Sequence, residues 1–252
     1  MNYVEEAQKL DPRINLLKNI QNMGALYTKS IGVFFAKGKY ILSLDSDDMI
    51  CIDDYIETLF IKAESRNFDY VECNEYIEVN LYNKTIKQKK ITTMFLWVKL
   101  IKRNLYKNII YRIGNHTLKR RINTLDDNFI ILFLKNYKNF SKINKIGIFH
   151  FKHYHNQIYS SNFTNEKNKF EFCENSLNAI DALYDLDNDK ENDKYYKKYS
   201  YYRLKNVLID NECFKVPKIK ENITSLFKKF LNSSFKNKKT KKIIKNILKE
   251  LY

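Results

Sequence analysis

Residues 37–55, KGKYILSLDSDDMICIDDY, set a short apolar run directly before five aspartates at positions 45, 47, 48, 53 and 54. An apolar run of this length reads as a buried strand, and the first aspartates then lie at its carboxyl end. In an open α/β sheet that is the end where ligands bind. The chain as a whole carries a net charge of +16, so a local excess of acid at such a place asks for a cation. Two carboxylates at i and i+2 in a loop can face one ion. Mg²⁺ and Mn²⁺ suit such a loop, because they take few protein carboxylates and complete their shell with phosphate oxygens. A local reading competes with this one: Asp47 or Asp48 caps a helix beginning near Ile52, and Asp53 and Asp54 complement its dipole from the first turn.

Working outward, CIDDYIETLFIKAESRN places Ile52, Ile56, Leu59, Phe60 and Ala63 at helical spacing, and FDYVECNEYIEV reads as the next strand. Upstream, residues 3–9 read as the end of a helix and residues 14–17 as a short strand. Residues 22–38 read as a helix with Leu26, Ser30, Val33 and Phe34 on one face and Gly38 as its stop. Strand, helix and strand in alternation predict an α/β fold with a parallel sheet. Downstream we expect a helix over residues 94–103, an irregular basic stretch to residue 124, a helix from Asp126 and a strand over residues 143–154. Beyond residue 163 glycine is absent and lysine-rich amphipathic segments dominate. The chain therefore divides into a domain over residues 1–163 and a basic helical region over 164–252.

With 252 residues, 44% of them hydrophobic, the chain can bury a full core and carry an extension. Cys51, Cys73, Cys173 and Cys213 form no C-x-x-C pair and read as free thiols in a reducing compartment. No secretory leader and no apolar run near 18 residues is visible, so a cytoplasmic location is expected. The lysines are spread along the whole chain with Asn, Ile and Tyr, the pattern of an AT-rich coding bias, and no aromatic and basic reader motif accompanies them; no specific nucleic-acid partner is expected. In the C-terminal region Phe227, Phe230, Leu231, Ile243, Ile244, Ile247 and Leu248 recur among lysines. Such helices either lie on an anionic membrane surface or pack back on the domain.

Residues 11–50 resemble the family 2 glycosyltransferases of the GT-A type. The resemblance rests on an N-x-G segment at Asn22 and Gly24, a helix, and then A-x-G-x-Y-I-x-x-L-D-x-D-D at Ala36, Gly38, Tyr40, Ile41, Leu44, Asp45, Asp47 and Asp48. It continues through W-x-K-L-x-x-R at Trp97, Lys99, Leu100 and Arg103, the acidic pair Asp126 and Asp127, and a K-I-G strand. In all it spans roughly residues 4–155, with Asp126 standing where the family usually has glutamate and without the family's opening strand, helix and D-D-G-S segment. It implies a partial GT-A, Rossmann-like fold, truncated at its N-terminus. The implied activity is inverting transfer of a sugar from a nucleotide-diphosphate sugar to a glycan or other hydroxyl acceptor, assisted by Mn²⁺ or Mg²⁺. Asp45 and Asp47 would hold the metal and diphosphate, with Asp48, Asn22 and Gly24 on the donor side. Asp127, beside Asp126, would be the base. His155, or His153, would complete the metal shell.

Read from the residues alone, Asp126 and Asp127 at the start of an apolar helix are either a general base pair or dipole-complementing caps. Lys99, Arg103, Lys119, Arg120 and Arg121 flank the acceptor region, where positive charge would neutralise a diphosphate or an anionic acceptor. Trp97, among Phe95, Leu96 and Leu100, reads as core or as a platform for a sugar ring. An alternative to the enzyme is an inactive remnant of the family acting as a binding or scaffold module.

Overall fold

The computed structural model describes residues 3–91, 95–122, 126–152, 166–186, 209, 212–232 and 238–251. His153 and His155 lie outside them. Helix α1 (Tyr3–Leu10) leads through an irregular segment to α2 (Ala25–Phe35), β1 (Tyr40–Leu42), β2 (Asp48–Ile50), α3 (Tyr55–Ser65), β3 (Tyr70–Cys73), β4 (Glu75–Asn80) and β5 (Thr85–Lys90). Then follow β6 (Lys99–Lys102), α4 (Arg103–Leu118), α5 (Asp126–Leu134), β7 (Phe140–Ile143), β8 (Ile148–Lys152) and α6 (Glu166–Asp185). The fold is mixed α/β, as the alternation predicts and consistent with a GT-A-like architecture.

The sheets are not the parallel one expected. Among the described residues one sheet has the order β1-β6-β3-β7 and the other β2-β8-β4-β5. β1 and β3 do run in the same direction, but β6 lies between them, antiparallel to both. Only the β3/β7 and β4/β8 pairs are parallel. The expected single strand FDYVECNEYIEV breaks at Asn74, its first half entering one sheet and its second half the other. β1 is half-buried and not buried, since it is an edge strand. Residues 14–17 form no strand.

Two helix expectations fall where tertiary pairing decides. The segment expected as a helix over residues 94–103 supplies β6, because a short apolar run is compatible with either structure and this one finds strands on both sides. The stretch expected to be irregular is α4, which buries Leu105, Tyr106, Ile109, Ile110 and Ile113 at helical spacing, kinks at Gly114 (φ 78°) and buries Thr117 and Leu118 in its last turn. α2 buries Leu26, Ser30 and Val33 as expected. α3 buries Leu59 and Ala63 together with Tyr55, while Ile56 and Phe60 remain 48% and 45% exposed.

The smaller core packs α3 against both sheets through Tyr55, Leu59, Val71, Tyr76, Trp97 and Ile148. Trp97 is thus a core residue. The larger core runs from α2, α4 and α5 into α6 and the C-terminal helices Lys220–Asn232 and Lys238–Leu251. Phe227, Phe230, Ile244 and Ile247 are buried in it, and Leu231, Ile243 and Leu248 pack against it. The apolar face that a membrane surface would need is occupied by the protein itself. No helix among the described residues is long and apolar enough to cross a membrane. Cys173 and Cys213 form a disulfide, which corrects the reading of four free thiols; Cys51 and Cys73 are free. Arg120 pairs with Asp181 and Asp185 of α6, and Lys229 of the helix Lys220–Asn232 pairs with the same two carboxylates.

Gly147, between β7 and β8, accepts a hydrogen bond from the Cys51 N–H (2.9 Å), and a Cβ on it would lie 1.9 Å from the Tyr55 ring. The buried ring is seated directly on the glycine backbone. Gly147→Ala is expected to lower stability by about 1–3 kcal/mol through overpacking, read as a lower urea midpoint with an unchanged slope.

Candidate active site

The inward stripe of α2 has one member that the sequence reading passed over. Leu26, Lys29, Ser30 and Val33 stand at i, i+3, i+4 and i+7, so Lys29 shares the face that packs on the domain. Its Nζ lies 3.1 Å from Asp45 Oδ1, 2.9 Å from Asp126 Oδ2 and 2.9 Å from Asp127 Oδ1. Carboxylates from two distant segments, Asp45 and the adjacent Asp126 and Asp127, thus meet on one ammonium group, which a lysine inside an apolar stripe would have signalled.

Two features hold this geometry. Asn22 Oδ1 accepts the Gly24 N–H (3.0 Å), and Gly24 turns at φ 87° into α2. A Cβ on Gly24 would lie 2.7 Å from the backbone at Arg121 and Ile122. The Leu26 N–H donates to Ile122 O (3.1 Å), so the start of α2 is seated on the chain leading to α5. Asn22 and Gly24 therefore shape the entry of α2. On the other side α5 is buried at nearly every position, Asp126 included, which fixes its N-terminus opposite Lys29.

The charges interact strongly at these distances. Burial pushes the Asp127 carboxyl up, the neighbouring Asp126 and Asp45 push it further, and Lys29 pulls it back; the balance is a pKa of about 6. For Lys29 burial alone favours the neutral amine, but Asp127, Asp126 and Asp45 outweigh it and raise its pKa. Asp127 Oδ2 also accepts the Leu96 N–H at 3.2 Å.

The acidic loop divides between two sides. The Asp48 N–H donates to Asp45 O (3.0 Å), closing a tight turn that contains Asp47. Asp45 belongs to the Lys29 cluster. Asp48 opens β2 opposite His150 of β8. Its Oδ1 hydrogen-bonds His150 Nδ1 at 2.9 Å and accepts the Phe151 N–H at 3.3 Å, and its buried Oδ2 has no hydrogen-bond partner among the described residues. The His150 ring stacks on Trp97, with centroids 5.4 Å apart. The hydrogen bond to Asp48 raises the His150 pKa against the effect of burial.

The local capping reading does not hold. Asp48 begins a strand, α3 starts at Tyr55, and Asp54 at its N-cap makes no side-chain cap bond and pairs with Lys145 instead. Three of the five expected cations are also committed elsewhere. Lys99 is buried against Glu72 at 2.7 Å, Arg103 donates to Ala36 O, and Arg120 joins the Asp181 and Asp185 cluster. Lys119 and Arg121 are exposed. Among the described residues no group of three or more His, Cys, Asp or Glu is disposed to hold a metal ion.

The sequence profile of glycosyl transferase family 2 matches residues 2–126, from the first helix to the first aspartate of α5. The chain belongs to this family. An uncharacterized glycosyltransferase of Haemophilus influenzae is 26% identical over 159 residues, which is 58% of this chain and 48% of that protein. Glycosyltransferase GlyG of Streptococcus pneumoniae is 36% identical over 66 residues, 26% of this chain and 22% of its own length. The match thus spans about half of the Haemophilus protein and a smaller share of GlyG. Within the family-matched span lie Lys29, Asp45, Asp47, Asp48 and Asp126; Asp127 follows immediately.

Glu72 illustrates what the committed cations do. It is buried between Lys99 and Lys142, which outweigh the effect of burial and hold its carboxyl below the ordinary range. A depressed carboxyl stabilises the fold above its ordinary pKa and loses that contribution as pH falls. Glu72→Gln, which strands the buried Lys99, is expected to cost about 3–5 kcal/mol. The double variant Glu72→Gln/Lys99→Met should recover most of it, and urea unfolding of both proteins at neutral pH provides the check.

Proposed function

We propose that this family 2 chain transfers a sugar from a nucleotide-diphosphate sugar to an acceptor hydroxyl by direct displacement with inversion. The observation that carries the reading is the convergence of Asp45, Asp126 and Asp127 on Lys29, with Asp127 tuned to about 6. A carboxylate with that pKa is ionised at neutral pH yet basic enough to share a proton, as a general base requires. The acceptor O–H gives its proton to Asp127, the oxygen forms a bond to the anomeric carbon, and the bond from that carbon to the diphosphate breaks with its electron pair.

The leaving diphosphate needs positive charge, and the turn after β1 offers donors for a cation. Asp45 and Asp47 carry hard oxygen donors of the kind Mg²⁺ and Mn²⁺ accept alongside phosphate oxygens, and Asp48, on the side of the loop toward His150, has a buried Oδ2 with no hydrogen-bond partner among the described residues. Bound there, the ion would supply charge that neutralises the departing diphosphate. The proposed site thus has a base side, built on α5, and a diphosphate side, built on the loop between β1 and β2.

Nucleoside-diphosphate release from uridine and guanosine diphosphate sugars, with a panel of hydroxyl acceptors, tests this. Turnover should require Mn²⁺ or Mg²⁺ and stop on chelation. Below pH 6 it should fall as Asp127 takes up a proton, being half-maximal near its pKa of about 6. Asp127→Asn should lower kcat by roughly 10²–10⁴-fold and abolish that acid limb. Turnover left unchanged by both Asp127→Asn and Asp47→Ala would reject the assignment.

A further inference from the structure

We infer that Lys29 is the positioning residue of the proposed base, holding Asp127 through Oδ1 beside Asp126 and tying this pair to Asp45 on the diphosphate side. The inference rests on the proposed role of Asp127, but it makes a claim about the chain that can be measured without turnover. Lys29 itself need not touch the reacting atoms; it acts through the carboxylate it holds.

The argument begins with repulsion. Asp126 and Asp127 are neighbours at one helix start, and Asp45 reaches the same ammonium from the turn after β1. Carboxylates sharing so small a space cannot all stay ionised without a counter-charge, and Asp127 is the one that burial and its acidic neighbours push toward keeping a proton. A protonated Asp127 could not serve as a base. Besides the three aspartates, the titratable group identified against this cluster is Tyr106 of α4, whose phenol is buried and held un-ionised by burial, so it supplies no positive charge. Among the described residues Lys29 is the cation in contact with all three aspartates.

Its placement is also specific. The lysine stem lies on the same inward stripe as Leu26 and Val33, which anchor α2 in the larger core, and the ammonium is delivered at the level of the α5 N-terminus. The Gly24 turn fixes α2 against residues 121 and 122 just ahead of α5. A cation carried on a floppy surface side chain would gain little from such pairs. Here the side chain is only 27% exposed and its partners Asp126 and Asp127 are 12% and 18% exposed, so the interaction is poorly screened. The same ammonium also links the two sides of the proposed site, because Asp45 belongs to the loop that offers donors for a cation.

The test uses the full chain and two independent readouts. In the first, carboxyl-carbon NMR follows the titration of Asp127, assigned by its disappearance in Asp127→Asn, with no donor or metal present. Lys29→Met should move the Asp127 titration upward by about one pH unit or more, and Lys29→Arg should leave it close to wild type. If Lys29→Met does not fold, Lys29→Gln, which keeps the stem and a polar head without the charge, carries the same expectation.

In the second readout, nucleoside-diphosphate release is measured across pH at saturating donor. Lys29→Met should lower kcat near pH 5 by about tenfold or more and shift the acid limb upward, with a smaller change in donor KM and recovery in Lys29→Arg; well below the titration, tenfold corresponds to roughly one unit of Asp127 titration. An unshifted Asp127 titration in a folded, charge-neutral variant overturns the inference. So does a defect confined to donor KM with the acid limb in place. Absence of turnover in the wild-type chain would remove the proposed function, while the NMR titration still decides the role of Lys29.

Discussion

One ammonium group among three carboxylates is the interaction on which the arrangement of this site depends. Lys29 meets Asp45, Asp126 and Asp127 within 3.1 Å. Brought this close, the acids would repel one another and the loop after β1 would be driven from the start of α5. The rest of the domain is organised to deliver these four side chains. Leu26 and Val33 anchor α2, the Gly24 turn seats it, and α5 is fixed by burial on almost every side. β6, inserted between β1 and β3, holds the edge strand whose carboxyl end carries Asp45.

The acidic loop faces two environments, and the sheets explain why. Asp45 turns toward the helices, while Asp48 is drawn into β2 and the second sheet, where His150 takes one oxygen. Tyr76, Phe95 and Trp97 form an aromatic group with the His150 ring. This apolar packing explains how Asp48 comes to bury an oxygen that nothing described satisfies. Buried polar atoms are normally paired. In the proposed function this carboxylate oxygen lies on the side of the loop assigned to the diphosphate. The separation of a tuned carboxylate from this second group of acids is what the proposed chemistry needs.

The C-terminal helices bear on the site through packing. Their apolar residues continue the core of α2, α4 and α5, and their ion pairs clamp Arg120 at the end of α4. The disulfide between Cys173 and Cys213 ties α6 to the turn that precedes the last two helices. Cysteines 40 residues apart show no pairing motif, so their proximity was invisible until the helices were packed. Lysine-rich amphipathic sequence is equally compatible with a lipid surface and with a protein core. The identity of the surface it meets is a property of the folded chain.

The sequence by itself determined the family, the mixed α/β class and the chemical character of the acid-bearing segments. Those properties are carried by local runs: an apolar strand before D-x-D-D, an acidic pair opening an apolar helix, a glycine where a turn must bring backbones together. Tertiary structure decided sheet order, the strand identity of residues 99–102 and the helix at residues 103–118. It also decided which charges remain available. Lys99 and Arg120 had the composition of ligand-binding cations, yet burial beside Glu72 and beside Asp181 and Asp185 commits them to the fold. Lys29 looked like one lysine among many until α2 was docked. Charges act through distance and desolvation, and neither quantity exists along a linear chain; only the packed structure sets both.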